Sequence, residues 1–569
     1  MPLTIGTGCD IAADLPRIGE DDPMAPSPQL RAYQQALCAV PGPPDAVLRA
    51  LADRLAGVAG ADLVPDVPPV LATPWLLGHA REGLVAAAER TARGAWFTPP
   101  DLARALVDAA GVAAPRSVMD PACGGGAFLL AAAERFPDAH IAGRDTDPLA
   151  VQVATAALSL AGCTDTDVRE GDGLVPPDRR YHLVLGNPPF LSQLRTATAR
   201  DAGRRRRMCQ RFGGAADGYV DEAGLFLLAT ATDLLEEGGV GVLVLPEALL
   251  ATAAAAPLRA EVARHCQVEV VWRDRDRVFP HAVTCAVRLQ RRPAPPPSTA
   301  VCRATSLSAA QLDTLTGEVA VSPPDAPAGR TWSHLLDHGA PEVVLAPDLP
   351  GVGEAATATA DFRDAYYLLV DHVCEEAQAA ERSAHRIVPV GLIDPAHLRW
   401  GEVEVRFAKQ RWQRPVALDL PPQFLDRRLG PKILVATQSR VLEALVDERG
   451  DLVPSTPVIT IRTDQPWHVG AALTSPVLTA LAVRRHAGAA RSRDALKLSA
   501  RQVLDLPLPR MNSASWDGAA EAYRLAHDVR DAGDRRLLLE RCGRLMTAAY
   551  GVDDDGLIGW WLGRLPDRG

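Results

Sequence analysis

Between residues 116 and 190 a series of short apolar runs stops, one after another, at polar residues of distinct kinds. RSVMDPACGGGAFLLAAAERF (116–136) reads as a strand, a turn at Gly124, Gly125 and Gly126, and a helix. HIAGRDTDP (140–148) reads as a second strand ending in Asp145, with Asp147 two residues on. A further apolar helix over 149–161 leads to VREGDGL (168–174), where Asp172 closes a third strand. A fourth, YHLVLGNPPF (181–190), stops at Asn187 and two prolines. Strands that alternate with helices in this way belong to a parallel sheet with crossover connections. Their polar ends then gather on the carboxyl rim, where such sheets bind ligands.

Each strand end suits a particular task. The glycines remove side chains where backbone must approach a ligand, and the helix that follows offers free N–H groups. An acid about 20 positions beyond such a turn, at the end of the second strand, is where a nucleoside-binding fold places a ribose-hydroxyl acceptor. Pro188 and Pro189 have fixed φ and no N–H, and Pro188 pushes Asn187 towards extended geometry. The Asn187 side chain and the Pro188 carbonyl can therefore present two acceptors beside the ring of Phe190, which suits an exocyclic amine on a flat base. Taken alone, NPPF is also compatible with a proline-rich turn. Upstream, GAWFTPPDLARALVDAAG (94–111) places an aromatic-Thr-Pro-Pro stretch before a helix that starts at Pro100 and Asp101. Downstream, residues 221–250 read as helix, Gly-Gly turn and buried strand, continuing a doubly wound sheet.

Together these residues resemble the S-adenosylmethionine-dependent amino-methyltransferases, specifically the gamma-type adenine-N6 DNA methyltransferases. FTPP, with Phe97, Thr98 and Pro99, resembles the family's methionine-side cofactor motif. DPACGGGAF resembles its main cofactor loop, which implies cofactor contacts at Asp120, Pro121, Ala122, Cys123, Gly124 and Gly126. Asp145 matches the ribose-binding acid, Asp172 the acid facing the cofactor's adenine, and NPPF the catalytic motif in its adenine-specific form, with Asn187 also beside the cofactor. The resemblance implies catalysis by Asn187, Pro188, Pro189 and Phe190 on a flipped base. VFPHAVTCAVRLQ (278–290) resembles a late motif that would stack Phe279 against the base opposite Phe190, although Phe279 also reads as a core ring entering a strand. The same NPP-aromatic motif occurs in enzymes acting on guanine N2 of ribosomal RNA or on glutamine amides. A non-catalytic DNA-recognition subunit is the alternative from another class.

The rest of the chain fits a larger assembly of domains. At 569 residues it is too long for one core. The reading is α/β: a helical N-terminal region (1–93), a Rossmann-like methyltransferase domain (94–292), a Pro-rich linker (293–300), a mixed α+β target-recognition domain (301–510) and a C-terminal helical element (511–569). The N-terminal helices read as packing or partner-binding elements. The net charge of −10 argues mildly against a polyanion partner. Only Lys409, Lys432 and Lys497 are lysines, so positive charge is nearly all Arg, suited to bidentate contacts, although a high-GC genome enriches Arg too. Seven Arg against one acid fall between Arg195 and Arg211. Arg195, Arg204, Arg205, Arg206 and Arg207 are expected to grip the DNA backbone, the alternative being a solvated face. Arg406, Lys409, Arg411 and Lys432 are expected to touch DNA from the recognition domain. The ten Cys show no metal-ligand or disulfide spacing, so no metal is expected. No run of 18 apolar residues and no leader-like start occur, which points to a cytoplasmic protein without membrane contact. The expected partners are double-stranded DNA and the subunits of a restriction or phage-defence system.

Overall fold

The apolar runs at 117–120, 140–145 and 181–186 form largely buried strands, as the interior of a parallel sheet requires, while 166–170 forms its half-exposed edge. A computed structural model describes residues 27–58, 63–85, 97–191, 202–217, 220–274, 278–279, 283–292, 299–304, 317–321, 332–336, 339–360, 363–379, 382–436, 439–486, 495–510 and 513–566. Its main sheet contains β1 (Ser117–Asp120), β2 (His140–Asp145), β3 (Thr166–Glu170), β4 (Tyr181–Gly186), β5 (Leu235–Pro246), β6 (Cys266–Arg273), β7 (Thr284–Arg291), β8 (Thr299–Ala304) and β9 (Gly317–Val321). The strand order is β3-β2-β1-β4-β5-β7-β6-β8-β9, parallel from β3 through β5 and antiparallel where β7 joins β5 and β6. The chain therefore winds outward from β1 in one direction and from β4 in the other. β1 and β4 are neighbours, with Val118 opposite Leu183 and Met119 opposite Val184. That reversal opens a crevice beyond their carboxyl ends.

Helices α1 (Pro28–Cys38), α2 (Pro44–Leu55), α3 (Trp75–Leu84), α4 (Pro100–Ala109), α5 (Ala127–Arg135), α6 (Pro148–Leu160), α7 (Ala202–Phe212), α8 (Glu222–Ala229) and α9 (Ala256–His265) cover the sheet. Leu37 of α1, Leu51 of α2 and Leu77 of α3 share one core with Leu102, Leu130 and Ile141. The described N-terminal helices thus belong to the core that covers the main sheet. The expected Gly-Gly turn appears as an irregularity within β5: Tyr181 faces Leu235, but Leu183 faces Val240. A Cβ at Gly239 would lie 2.9–3.1 Å from three carbonyl oxygens, so the tight loop needs glycine there.

The boundary expected at 293–300 is not a break between domains in the sheet. Residues 299–304 form β8, parallel to β6, and β9 pairs with β8 in turn. The physical reason is an edge: without β8, β6 would present unpaired backbone groups. Further on, Thr357–Ala360, Ile459–Arg462, Lys432–Ala436 and Glu443–Asp447 form an antiparallel sheet in that spatial order. Helices Pro466–Thr474, Pro476–His486, Ala514–Asp528, Ala532–Ala549 and Asp555–Leu562 pack with it around Val446, Leu478, Trp516, Tyr523, Met546 and Trp561. The terminal helices are part of this second core. No helix among the described residues is long and apolar enough to cross a membrane.

Candidate active site

Asn187 follows directly on Gly186 at the end of β4, beside the end of β1. Its Nδ2 donates to Thr98 Oγ1 at 3.2 Å, across 89 residues of chain. Thr98 is 4% exposed, so the FTPP stretch and NPPF meet in a nearly dry contact. In this orientation Asn187 Oδ1 is buried and has no hydrogen-bond partner. A buried acceptor left unpaired is unfavourable by about 1–3 kcal/mol, a deficit that an incoming donor would remove. Pro188 is buried and Pro189 and Phe190 are half-buried, with Phe190 packed against the cores on both sides of the sheet. A Cβ at Gly186 would come within 3.1 Å of Asp120 Oδ1, so the end of β4 lies tight against the acid that ends β1.

The glycine loop is laced to the strand-end acids. Asp120 Oδ1 accepts from the Ala122 N–H at 3.0 Å. Burial pushes the Asp120 carboxyl up to about 8, with Asp145 adding to the rise and the Ala122 N–H opposing it. Asp145 Oδ2 accepts from the Gly124 N–H at 2.8 Å and its Oδ1 from the Asp147 N–H at 2.9 Å. The Cys123 N–H bonds the Arg144 carbonyl at 2.9 Å, and burial raises the Cys123 thiol well above its usual value. Gly124 (φ 52°) and Gly126 (φ 86°) are left-handed, and a Cβ at Gly124 would meet only open space. From Gly173, next to Asp172, a Cβ would fall 1.7 Å from the Pro121 carbonyl oxygen, so the third strand end closes directly over the loop. The loop from Asp120 to Gly126 therefore lies together with Asp145 and the segment of Asp172. The arrangement is a glycine cradle whose N–H groups are tied to the strand-end carboxylates and to the Arg144 and Cys123 carbonyls, next to an unpaired amide oxygen.

One wall of this cradle comes from a segment whose helices read in the sequence as packing or partner-binding elements. A Cβ at Gly125 would touch the Gly78 Cα of α3 at 3.2 Å, and a Cβ at Gly78 would strike the Phe97 ring at 2.6 Å. The His79 ring lies 4.5 Å from that of Phe97, and burial lowers its pKa to about 4. Arg81 NH2 meets Asp147 Oδ2 at 2.5 Å, with both side chains largely covered. The signal in the sequence was a glycine inside an otherwise good helix, which marks close approach by another chain segment.

The residues expected to hold DNA divide. Arg205, Arg206 and Arg207 of α7 are exposed, whereas Arg204 turns inward to Asp172 Oδ2 (2.6 Å) and Glu222 Oε1 (2.5 Å). Arg195 lies outside the described residues. Phe279 is 4% exposed, its N–H directed at Asp274 Oδ2 (3.4 Å), so here it sits in the core. Arg406 and Arg411 face each other across the two-stranded ribbon Val405–Phe407/Gln410–Trp412, and all three cations of that ribbon, Lys409 included, are exposed. Lys432 corrects the expectation. It is 2% exposed, its Nζ donates to Asp447 Oδ2 (2.5 Å) and the Gly430 carbonyl (3.1 Å), and it faces Asp447 across the sheet. A lysine at the start of a fully buried strand is held inside by its neighbour's carboxylate. Among the described residues, no group of three or more His, Cys, Asp or Glu could hold a metal ion.

Comparison with known proteins places this geometry. Residues 74–289 match the family model described as N-6 DNA Methylase. The type II methyltransferase M.XamI of Xanthomonas campestris pv. amaranthicola is 37% identical over 105 residues, 17% of this chain and 20% of that protein. The type II methyltransferase M.TthHB8I of Thermus thermophilus is 31% identical over 202 residues, 34% of this chain and 44% of its own. The chain thus spans about a fifth of the length of the first relative and under half of the second. In structure, the type IIL restriction-modification enzyme MmeI, solved in complex with DNA, aligns over 87% of this chain and 81% of its own with a TM-score of 0.54 at 12% identity. That likeness concerns the fold, and it extends through the C-terminal half.

Proposed function

We propose that the chain is a site-specific DNA methyltransferase that moves a methyl group from S-adenosylmethionine to adenine N6 in duplex DNA. The observation that carries this reading is the buried, unpartnered Oδ1 of Asn187 beside the glycine cradle. An N-6 DNA methylase match over the same residues supports it. The cradle suits the cofactor: Asp145 for ribose hydroxyls, Asp172 for the adenine edge, and Phe97, Thr98 and Pro99 for the methionine end. When bound, the cofactor supplies an electrophilic methyl on a sulfonium.

The chain's own residues answer the chemical problem of a poor nucleophile. The N6 lone pair of adenine is delocalised into the ring. Asn187 Oδ1 and the Pro188 carbonyl accept hydrogen bonds from the two N6 protons, which draws the nitrogen towards tetrahedral geometry and frees its lone pair. Thr98 holds the Asn187 amide in the orientation that offers oxygen to the base. N6 would take the methyl and release one proton to solvent, while the two acceptors stabilise the positive charge that develops in between. A base must leave the duplex to reach this rim, and Phe190 offers a ring for it to stack on. For stacking from the other side, Phe279 would have to come out of the core. Arg205, Arg206 and Arg207 hold phosphates, and Arg406, Lys409 and Arg411 contact the target from the C-terminal half. The setting is a restriction-modification or phage-defence system, in the company of its other subunits.

The test is transfer of labelled methyl to unmethylated duplex DNA, with base-resolved detection, by wild type and Asn187→Ala. The expected result is N6-methyladenine in one motif, reduced about 10²–10³-fold in the variant while cofactor binding persists. Cofactor binding with label appearing in RNA, or in no nucleic acid, would overturn the reading.

A further inference from the structure

We propose that helix α3 is a working wall of the cofactor pocket and that Arg81 binds the carboxylate of the cofactor's methionine tail; this rests on the methyltransferase reading. Gly78 and Arg81, three positions apart, lie on one face of α3. Gly78 seats that face: it lies between the Phe97 ring and the backbone of Gly125 in the glycine loop, with no room for a side chain. Arg81 then sits at the loop. Its NH2 is fixed by Asp147 Oδ2 at 2.5 Å, and the Asp147 N–H is in turn bonded to Asp145, the ribose acid. Its field is felt by the Cys123 thiol, within the loop itself.

The guanidinium retains binding capacity. Arg81 Nε is buried and has no hydrogen-bond partner, an unfavourable state that an anionic group would relieve. Charge balance points the same way. Asp145, Asp147 and Asp172 surround the loop, so a ligand carboxylate would be repelled unless a cation met it. Arg204 is committed to Asp172 and Glu222, at the expected adenine end. Arg144 faces Asp167 and the Gly143 carbonyl. Arg81 is the cation that the loop end receives, held beside FTPP by the Gly78–Phe97 contact. Asp147 is then a positioning residue that orients Arg81 through one nitrogen and leaves another for the ligand.

The experiment is calorimetric titration of the full chain with two ligands, S-adenosylhomocysteine and 5′-methylthioadenosine, which lacks the amino-acid tail. Arg81→Met should weaken S-adenosylhomocysteine about 10–100-fold, the effect of one charge-assisted contact, and leave 5′-methylthioadenosine within about twofold. Arg81→Lys should fall between, with the same ligand preference. Gly78→Val, which forces α3 off the loop, should weaken both ligands. An unchanged ratio of the two affinities in whichever Arg81 variant still binds would overturn the role of Arg81. Unaltered binding by Gly78→Val would overturn the wall. A wild type that binds neither ligand would instead sink the methyltransferase reading, and this proposal with it.

Discussion

Asn187 and Lys432 stand for two regions of the molecule that treat a buried polar group in opposite ways. At the rim between β1 and β4, the Asn187 amide is anchored at one end by Thr98 and left unpaired at the other. In the antiparallel sheet of the C-terminal half, Lys432 is paired with Asp447, whose carboxylate also takes the N–H groups of Gly450 (2.9 Å) and Leu452 (3.1 Å). A completed set of partners makes a rigid strand connection. An incomplete set, held in place by its neighbours, is ready for a ligand. Residue type does not separate the two cases, since both are polar side chains beside apolar strands.

The contrast can be broken at its structural pole first. Lys432→Ala leaves Asp447 buried without its counter-charge and should destabilise the C-terminal half by about 3–5 kcal/mol. Replacing both partners with apolar residues should recover most of that loss in urea unfolding. If Lys432→Ala instead left stability unchanged and weakened DNA binding, the two regions would not differ as described.

At the rim, Asp120 gives a pH signature. Its carboxyl keeps its proton up to about 8 when folded, against 3.8 ordinarily, so the folded state binds the extra proton between those values. Its contribution to stability is therefore present below pH 3.8 and is lost as pH rises through about 8. The loss runs at no more than about 1.4 kcal/mol per pH unit. Urea midpoints should fall from pH 5 to pH 8 more steeply in wild type than in Asp120→Asn, and parallel curves would count against it. Thr98→Val removes the anchor of Asn187 but not Asn187 itself. Single-turnover methyl transfer at saturating cofactor should slow about tenfold, roughly 1.4 kcal/mol and near the upper end for one hydrogen bond. The smallest effect belongs to the exposed ribbon. Lys409→Ala should lower the slope of log affinity for DNA against log salt by about 1, with binding weakened evenly across sequences, as for a phosphate contact.

Much of the rim was legible in the sequence because its information is local. A strand end, the turn beyond it and the first residue of a helix lie within a few positions of one another, and the parallel sheet brings such ends together by topology alone. Gly124, Asp145, Asp172 and Asn187 could therefore be chosen from their order in the chain. Lys432 could not be placed, since its burial depends on Asp447, 15 residues away across a hairpin. Arg204 sits in an arginine run that reads as a DNA grip, and its inward turn follows from Glu222 and Asp172, which only folding brings near. Phe279 kept both of its readings in the sequence, and the fold places it in the core.

By itself, then, the order of strand ends determined the doubly wound sheet and which polar residues stand at its rim, because 3.6- and 2-residue periodicities and proline and glycine geometry act over short distances. Tertiary structure decided the rest. It brought Thr98 to Asn187, brought α3 to the glycine loop and carried the sheet on into residues 299–321. It also determined which cations face solvent and which are enclosed. Those outcomes depend on packing and charge pairing between distant segments, of which a single stretch of sequence carries at most a local trace, such as Gly78 inside α3.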